Sequence, residues 1–310
     1  MDLKQLRTFL RVAEVGSLSQ ASDRLRVAQP ALSRQIKMLE NEIGVPLFAR
    51  HGRGMKLTEA GRQLLANVGS PMRQLERSFE ELRSSGKRVE GRVSLGMTPT
   101  ISFILAGRLA KRVAMELPGV SLRIVEGYGG YLVEWLQRSE IDATVLYGPA
   151  SDLHLRVTEL LYERLVLVGP RDCDLDNKTA VLFRTLSGLQ LVLPSKPHGL
   201  RAVVDNAAYK SKTSLNIRFE ADSFLVLKDL VQEGLGYTIL PTSAFKKDQL
   251  EKSFRIAPLI QPKVIRHIVM ATRPDYIPSR ATVAVSKLLI DETRVLVKNK
   301  EWDAYLAKND

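Results

Sequence analysis

The sequence predicts an α/β protein with a helix-turn-helix at its N-terminal end. Apolar residues recur every three or four positions over residues 3–43, and strand-like and helix-like segments alternate from residue 91 onward. The chain also carries 46 basic against 34 acidic residues, a net charge of +12, which favours a polyanionic partner. With 310 residues and 45% hydrophobic composition, it is expected to form two or three globular domains.

The first segment predicts an amphipathic helix that ends at Gly16. Its apolar residues share one helical face, and they are Leu3, Leu6, Phe9, Leu10 and Ala13. Ser17 or Ser19 is then positioned to cap a second short helix, on which Ala21 and Leu25 point inward.

A third, longer helix begins near Pro30, because proline suits the first helical turn, where its missing N–H costs nothing. Gly44 is expected to end this helix. Two helices joined by a tight turn, with the second one basic, are typical of a helix-turn-helix. Recognition helices read bases from their N-terminal turns, and glutamine pairs with adenine and arginine with guanine. We therefore expect Gln29, Ser33 and Arg34 to face DNA. Lys37 fits a solvated helix face and a phosphate contact equally well.

A glycine-rich basic turn from Arg50 to Gly54 separates two short apolar runs and predicts a β-hairpin wing. Arg50 and Arg53 are placed to reach phosphates or a minor groove. Residues 1–66 hold 11 basic and 6 acidic side chains, which gives +5, while the rest of the chain contributes +7. The alternative is a small helical bundle whose basic residues only solvate its surface.

A long connecting helix is predicted next, with Thr58 as its N-cap. Its apolar residues form a heptad seam that needs a partner helix, and they are Leu65, Val68, Met72, Leu75, Phe79 and Leu82. Packing of this stripe on its own domain is the alternative. Pro71 is expected to kink the helix, at a cost of about 3 kcal/mol unless accommodated, and residues 84–86 mark a hinge.

The alternation from residue 91 onward predicts α/β units with largely parallel sheets. Ligands of open α/β sheets bind beyond the carboxyl ends of strands, so the residues after strands form the candidate pocket. These are Thr98, Thr100, Tyr128, Tyr147, Pro194, Ser195, His198, Arg201 and Phe224. Hydroxyls and helix-start N–H groups suit a carboxylate. Helix caps, cleft walls, a loop histidine and a solvated arginine are the plainer interpretations of the same residues.

Three stretches of the first 66 residues resemble the winged helix-turn-helix of LysR-type transcriptional regulators: LRTFLRVAEVGSLSQAS, LRVAQPALSRQIKMLENEIGVPLFAR and LTEAGRQLL. The later segments LPSKPHGLR and EGLGYTILP resemble the effector domain of this family, and are most similar to the branch that contains nitrogen-assimilation regulators. The resemblance implies that Gln29, Pro30, Ser33 and Arg34 face DNA, with Arg50 and Arg53 in the wing.

The resemblance also implies three parts of the chain: a winged helix-turn-helix over residues 1–58, a dimerisation helix over 59–88, and a periplasmic-binding-protein-like effector domain over 91–310. Lobe I is expected at about 91–163 and 268–310, and lobe II at about 164–267. Members of this family pair into dimers and homotetramers, bind operator DNA and contact RNA polymerase. A small molecule in the cleft between the lobes changes this assembly.

The sequence contains no motif for an enzyme, a metal site or a cofactor. The four histidines have no metal-ligand spacing, and no nucleophile elbow or phosphate-binding loop occurs. The single cysteine, Cys173, permits no intrachain disulfide, and its neighbouring aspartates discourage a thiolate. With no signal peptide and no membrane-spanning run, we expect a cytoplasmic protein.

Two functions are consistent with these observations. The first is a DNA-binding transcriptional regulator that activates or represses promoters in response to a small-molecule effector, for which a carboxylate is one candidate. The second is a cytoplasmic α/β solute-binding or enzymatic protein whose helical N-terminus only mediates assembly.

Overall fold

The chain divides into two structural units, the first built from the N-terminal 85 residues and the second from most of the remaining chain. The computed structural model describes residues 2–51, 54–83, 88–148, 155–176, 178–196, 198–274 and 277–307. Over these ranges, no helix is long and apolar enough to cross a membrane. No group of three acidic, histidine or cysteine side chains in the same ranges is placed to hold a metal ion.

The N-terminal unit contains four helices and a hairpin within its described residues: α1 (Leu3–Val15), α2 (Leu18–Leu25), α3 (Gln29–Ile43), β1 (Phe48–His51), β2 (Gly54–Leu57) and α4 (Glu59–Arg83). The predicted helix ends are confirmed, since Gly16 and Gly44 follow α1 and α3 with φ of 66° and 84°. Ser17 caps α2 by accepting a hydrogen bond from the Gln20 N–H, which selects Ser17 over Ser19. The predicted N-cap of α4 is also confirmed, because Thr58 Oγ1 accepts from the Gly61 N–H.

The core of the N-terminal unit joins the three short helices to the hairpin and to the start of α4. Phe9, Leu32 and Leu39 are fully buried, and the rings of Phe9 and Phe48 lie 5.4 Å apart. Gly61 lets α4 approach the hairpin closely, because a Cβ at this position would lie 2.1 Å from the Leu47 carbonyl oxygen.

The second unit contains two lobes, and the sheets and cores of one lobe are separate from those of the other. The elements of lobe I are β3 (Glu90–Met97), α5 (Pro99–Glu116), β4 (Gly119–Glu126), α6 (Gly129–Gln137), β5 (Ala143–Tyr147), β6 (Arg156–Arg164), β13 (Ile265–Thr272), α10 (Arg280–Lys298) and β14 (Ala304–Leu306). Their sheet has the order β14-β6-β13-β5-β3-β4. Side chains alternate across it, so that Ile268 and Met270 join the core under α5 and α10, while Val269 and Ala271 join the core under α6.

Lobe II comprises β7 (Val166–Pro170), β8 (Val181–Leu182), β9 (Gln190–Leu193), α7 (Gly199–Lys210), β10 (Asn216–Glu220), α8 (Phe224–Gln232), β11 (Thr238–Leu240), α9 (Lys247–Ser253) and β12 (Phe254–Ile260). Its strands form the sheets β11-β7-β12-β8 and β10-β9, which are linked by a bridge between Leu191 and Tyr237. One core of buried apolar residues runs through the lobe.

The prediction of largely parallel sheets is wrong, because the six-stranded sheet of lobe I and the four-stranded sheet of lobe II are mixed, whereas the two-stranded sheet β10-β9 is parallel. β3 pairs parallel with β4 and β5, as βαβ connections require. However, β13 runs antiparallel to β5 and β6, and β7 runs antiparallel to β11 and β12. The antiparallel pairs arise because the chain crosses from lobe I to lobe II between β6 and β7 and returns between β12 and β13.

Candidate functional site

The start of α3 is exposed and has no side-chain cap. Its N-cap is Ala28, which offers no side-chain acceptor. Gln29, Pro30 and Arg34 are exposed and Ser33 is half-buried, and Arg34 makes no ion pair with any described residue. Uncapped N–H groups and the positive end of the helix dipole attract phosphate. All four predicted DNA-facing residues of this helix therefore lie on one accessible helical start.

The wing is anchored to α3 through Glu40. Glu40 Oε1 accepts hydrogen bonds from the Leu47 and Phe48 N–H groups at 2.8 and 3.1 Å. The second strand is held from another side, because the Met55 N–H donates to the Gly16 carbonyl at 2.8 Å. These bonds set the position of the hairpin against α3 and α1.

The hairpin confirms the predicted wing at the level of the backbone. Arg50 lies in β1 opposite Met55. The side chain of Arg50 and the whole of Arg53 lie outside the described residues.

The predicted seam of α4 is divided between two environments. Leu65 and Val68 are half-buried against the core of the N-terminal unit, and Met72 is buried in that core. Leu75 and Phe79 are 36% and 49% exposed, whereas the side chain of Leu82 lies outside the described residues. α4 continues through Pro71, and an ion pair between Arg7 and Glu76 at 2.6 Å ties it to α1.

A small cavity lies between the two lobes of the second unit. It has a volume of about 20 Å³, which is room for one water molecule. Five of the predicted pocket residues line it, namely Thr100, Tyr147, Pro194, His198 and Phe224. It is also lined by residues that were not predicted, namely Pro99, Leu200, Asp222, Leu227, Leu240 and Arg266.

The remaining predicted pocket residues surround this cavity without lining it. Thr98 is 1% exposed, and its hydroxyl has no hydrogen-bond partner among the described residues. Tyr128 packs edge-on against His198, with the ring centroids 5.1 Å apart. Arg201 is buried and pairs with Asp205 and Glu220 at 2.9 and 2.7 Å, so its charge is already neutralised.

The floor of the cavity is a buried polar network centred on Arg266. Its guanidinium pairs with Glu163 at 2.6 Å, donates to Thr100 Oγ1 at 2.9 Å and lies 4.4 Å from the centre of the Tyr147 ring. The Tyr147 hydroxyl in turn lies 2.8 Å from Thr100 Oγ1. Burial alone would lower the pKa of Arg266, but the Glu163 carboxylate and Tyr147 hold it above its ordinary value.

Glu163 connects this floor to two other parts of the fold. One carboxylate oxygen accepts from Trp302 Nε1 at 2.6 Å and also from the hydroxyl of Ser243 in lobe II. Because Glu163 and Arg266 stand at the two crossings, on β6 and β13, the network links the cavity floor to both lobes.

The lobe II side of the cavity carries a carboxylate held by Ser195. Asp222 Oδ1 accepts from the Ser195 N–H at 2.9 Å and from Ser195 Oγ at 2.6 Å. These bonds lower the pKa of Asp222 below its ordinary value. Burial lowers the pKa of His198, an effect that Asp222 opposes and Arg266 reinforces. Its Nδ1 accepts from the Leu200 N–H and so caps α7.

Arg266, Glu163 and Asp222 were missed in the sequence because no local spacing pattern connects them with the residues that they contact. The available signal was the presence of Glu163 and Arg266 in the strand segments ERLVLVGP and KVIRHIVMATR, which are apolar over much of their length but also carry other basic residues. A charge in such a strand needs a buried partner, but the pattern alone does not name that partner.

Comparison with known proteins identifies two matching family models. One, described as the LysR substrate binding domain, matches residues 86–294. The other, described as the bacterial regulatory helix-turn-helix protein of the lysR family, matches residues 3–62. Together they span most of the chain.

Curated relatives match over most of their own length. The HTH-type transcriptional regulator BbuR of Bordetella bronchiseptica is 30% identical over 305 residues, which cover 98% of this chain and 94% of that protein. The nitrogen assimilation regulatory protein nac of Klebsiella aerogenes is 34% identical over 245 residues, 79% of each protein. Full-length OxyR from Pseudomonas aeruginosa has a TM-score of 0.77 at 23% identity, covering 100% of this chain and 99% of that one, a likeness in fold alone.

Proposed function

The chain belongs to the LysR family of DNA-binding transcriptional regulators, and we propose that it reads its operator with α3 and the wing under the control of a small effector in the inter-lobe cavity. The relatives of this chain are transcriptional regulators and not enzymes. The proposal therefore concerns which residues perform DNA binding and effector sensing in this member.

The observation that supports DNA reading by α3 is its exposed, uncapped start. Gln29, Pro30, Ser33 and Arg34 occupy the turn that enters a major groove in helix-turn-helix proteins. Arg34 is the base-reading candidate, since its exposed guanidinium forms no ion pair within the described ranges and can therefore pair with guanine. Arg50 and Arg53 of the wing supply phosphate or minor-groove contacts.

The effector is proposed to bind where the two lobes meet. Thr100, Tyr147, Pro194, His198 and Phe224 contact it directly, because they line the cavity. The other predicted residues act from behind this lining, and they are Thr98, Tyr128, Ser195 and Arg201. Since the cavity has room for only one water molecule, an effector separates the lobes when it binds. It shifts the equilibrium by its differential affinity for the two lobe arrangements.

Self-association is proposed to use the exposed part of the α4 seam. Leu75 and Phe79 present apolar surface that a second α4 would cover. Two paired winged domains then reach successive major grooves. Assembly of dimers into a homotetramer, contact with RNA polymerase and a cytoplasmic location belong to the same proposal.

A promoter–reporter assay tests effector sensing separately from DNA binding. Thr98→Ala and Ser195→Ala are expected to abolish the response of the promoter while operator affinity stays at the wild-type value. Normal induction in both variants would reject this placement of the pocket. The alternative function, an α/β solute-binding or enzymatic protein, is not supported, because the relatives of this chain are transcriptional regulators.

A further inference from the structure

Two opposite charges line the inter-lobe cavity, Arg266 from lobe I and Asp222 from lobe II. From this pairing we propose that the effector is a small zwitterion of the amino-acid type, with its carboxylate toward Thr100, Tyr147 and Arg266 and its ammonium group toward Asp222. The inference rests on the proposed function and names the chemical class of its ligand.

The lobe I end of the cavity is built to receive an anionic group. Arg266 is fully buried, and the hydroxyls of Thr100 and Tyr147 lie beside it and beside each other. Glu163 balances the guanidinium from behind and does not itself line the cavity. A ligand carboxylate therefore meets hydroxyl and guanidinium donors on this side, which is the arrangement that charge-assisted hydrogen bonds require.

The lobe II end is built to receive a cationic group. Asp222 is exposed, and its two Ser195 hydrogen bonds favour the ionised carboxylate. Within the described part of the chain, no lysine or arginine forms an ion pair with it. Because Ser195 binds only one of its oxygens, the other oxygen is available to an ammonium group.

The sum of charges around the cavity favours a zwitterion over a plain carboxylate. The two charged residues that line the cavity, Arg266 and Asp222, sum to zero. A simple carboxylate would make this local sum −1 and would leave Asp222 without an opposite charge. A zwitterion leaves the net charge of the cavity unchanged and gives both Arg266 and Asp222 a partner of opposite charge.

The different exposure of Asp222 and Arg266 indicates how the ligand is oriented as it enters the cavity. Asp222 is solvent-exposed whereas Arg266 is 1% exposed on its side chain. The ammonium group is thus held near the mouth and the carboxylate is directed inward. The carboxylate then reaches the network that joins both crossing strands, so that binding and lobe movement are coupled.

The test uses trios of probes on the same carbon skeleton, titrated calorimetrically into the full-length protein. Each trio contains an α-amino acid, the carboxylate that lacks its amine, and the amine that lacks its carboxylate. The amino acids range in size from glycine to leucine and include those with acidic and basic side chains. We expect at least one amino acid to bind at least about tenfold more tightly than both partners of its trio, as two charge-assisted contacts predict. Tightest binding by nitrogen-free carboxylates, or binding by none of the amino acids, would overturn the proposal.

A charge-matched pair of variants identifies the group that holds the amine. Asp222→Asn is expected to weaken binding of the amino acid by about tenfold or more and to leave the weaker binding of the carboxylate probe unchanged or stronger. Asp229→Asn is the control, since it removes one exposed carboxylate from the neighbouring helix α8. Equal affinity of wild type and Asp222→Asn for the amino acid would contradict the inference.

Operator affinity measured in the same samples separates this inference from the proposed function. If a nitrogen-free carboxylate binds and changes operator affinity, the effector site stands and the zwitterion is rejected. If an amino acid binds in an Asp222-dependent way without changing operator affinity, the ligand class stands and regulation through this cavity is rejected.

Discussion

Glu163 and Arg266 face each other directly across the antiparallel strands β6 and β13, with 2.6 Å between the guanidinium and the carboxylate and with both side chains 1% exposed. The two residues stand at the two points where the chain crosses between lobes. Their pairing neutralises two buried charges and at the same time places Arg266 at the floor of the cavity. The same contact therefore holds the crossings together and shapes the proposed effector site.

Removing one partner of this pair is predicted to destabilise the effector unit strongly. Glu163→Gln and Arg266→Met each leave a buried charge uncompensated, for which the cost is about 3–5 kcal/mol. The double variant is expected to recover a large part of that loss, because no lone charge remains. Urea unfolding of all four proteins measures this coupling, and additive losses in the double variant would contradict it.

Arg34→Ala is predicted to weaken operator binding by about 1–3 kcal/mol and to relax base preference at one position. Arg123→Ala is the matched control, because it removes an exposed arginine from β4 of the other unit. Fluorescence anisotropy with single-base operator variants measures both effects. Operator affinity and base preference equal to wild type at every salt concentration would exclude Arg34 as a base-reading residue.

Phe79→Glu is predicted to dissociate the proposed α4 pair, because it places a charge on an apolar seam. Gln63→Glu adds the same charge at an exposed position on the same helix and should leave assembly unchanged. Analytical ultracentrifugation reports the molar mass of each variant. If Phe79→Glu sediments like wild type, the seam lies elsewhere.

Ser195→Ala is predicted to raise the pKa of Asp222, because it removes the stronger of the two hydrogen bonds to the carboxylate. The folded-state pKa lies below the unfolded value, so this bond stabilises the protein above the unfolded pKa. That contribution is lost as the pH falls through the folded pKa. A carboxyl-detected NMR titration compares the two proteins, and an Asp222 pKa unchanged in the variant would be the contrary result.

Local patterns in the sequence predicted the N-terminal unit well, because its signals lie within one helix or one turn. Pro30 and Gly44 delimit the recognition helix, Ser17 and Thr58 cap their helices, and the basic glycine-rich turn marks the wing. Each of these residues acts on backbone groups a few positions away in the chain. Their spacing in the sequence is therefore sufficient to predict the helix ends and the hairpin.

The cavity floor depends on contacts that local patterns do not contain. Glu163 and Arg266 are separated by 103 positions, and Glu163 and Trp302 by 139. Their pairing follows from the register of β6 against β13, which mixed sheets leave undetermined in the sequence. The rule that ligands lie beyond strand ends found Thr100, Tyr147 and His198, but it placed Arg201 in the pocket, where the structure instead pairs it with Asp205 and Glu220.

The most direct test of sequence-specific operator binding is an anisotropy titration of the full-length protein against two labelled duplexes. One carries DNA from the intergenic region upstream of its own gene, and the other carries the same bases shuffled. Over about 50–200 mM salt, log affinity is predicted to fall linearly with log salt for both duplexes. The native duplex is predicted to bind at least about 10³-fold more tightly throughout. Equal affinity for the two duplexes at every salt concentration would contradict specific operator recognition by this protein.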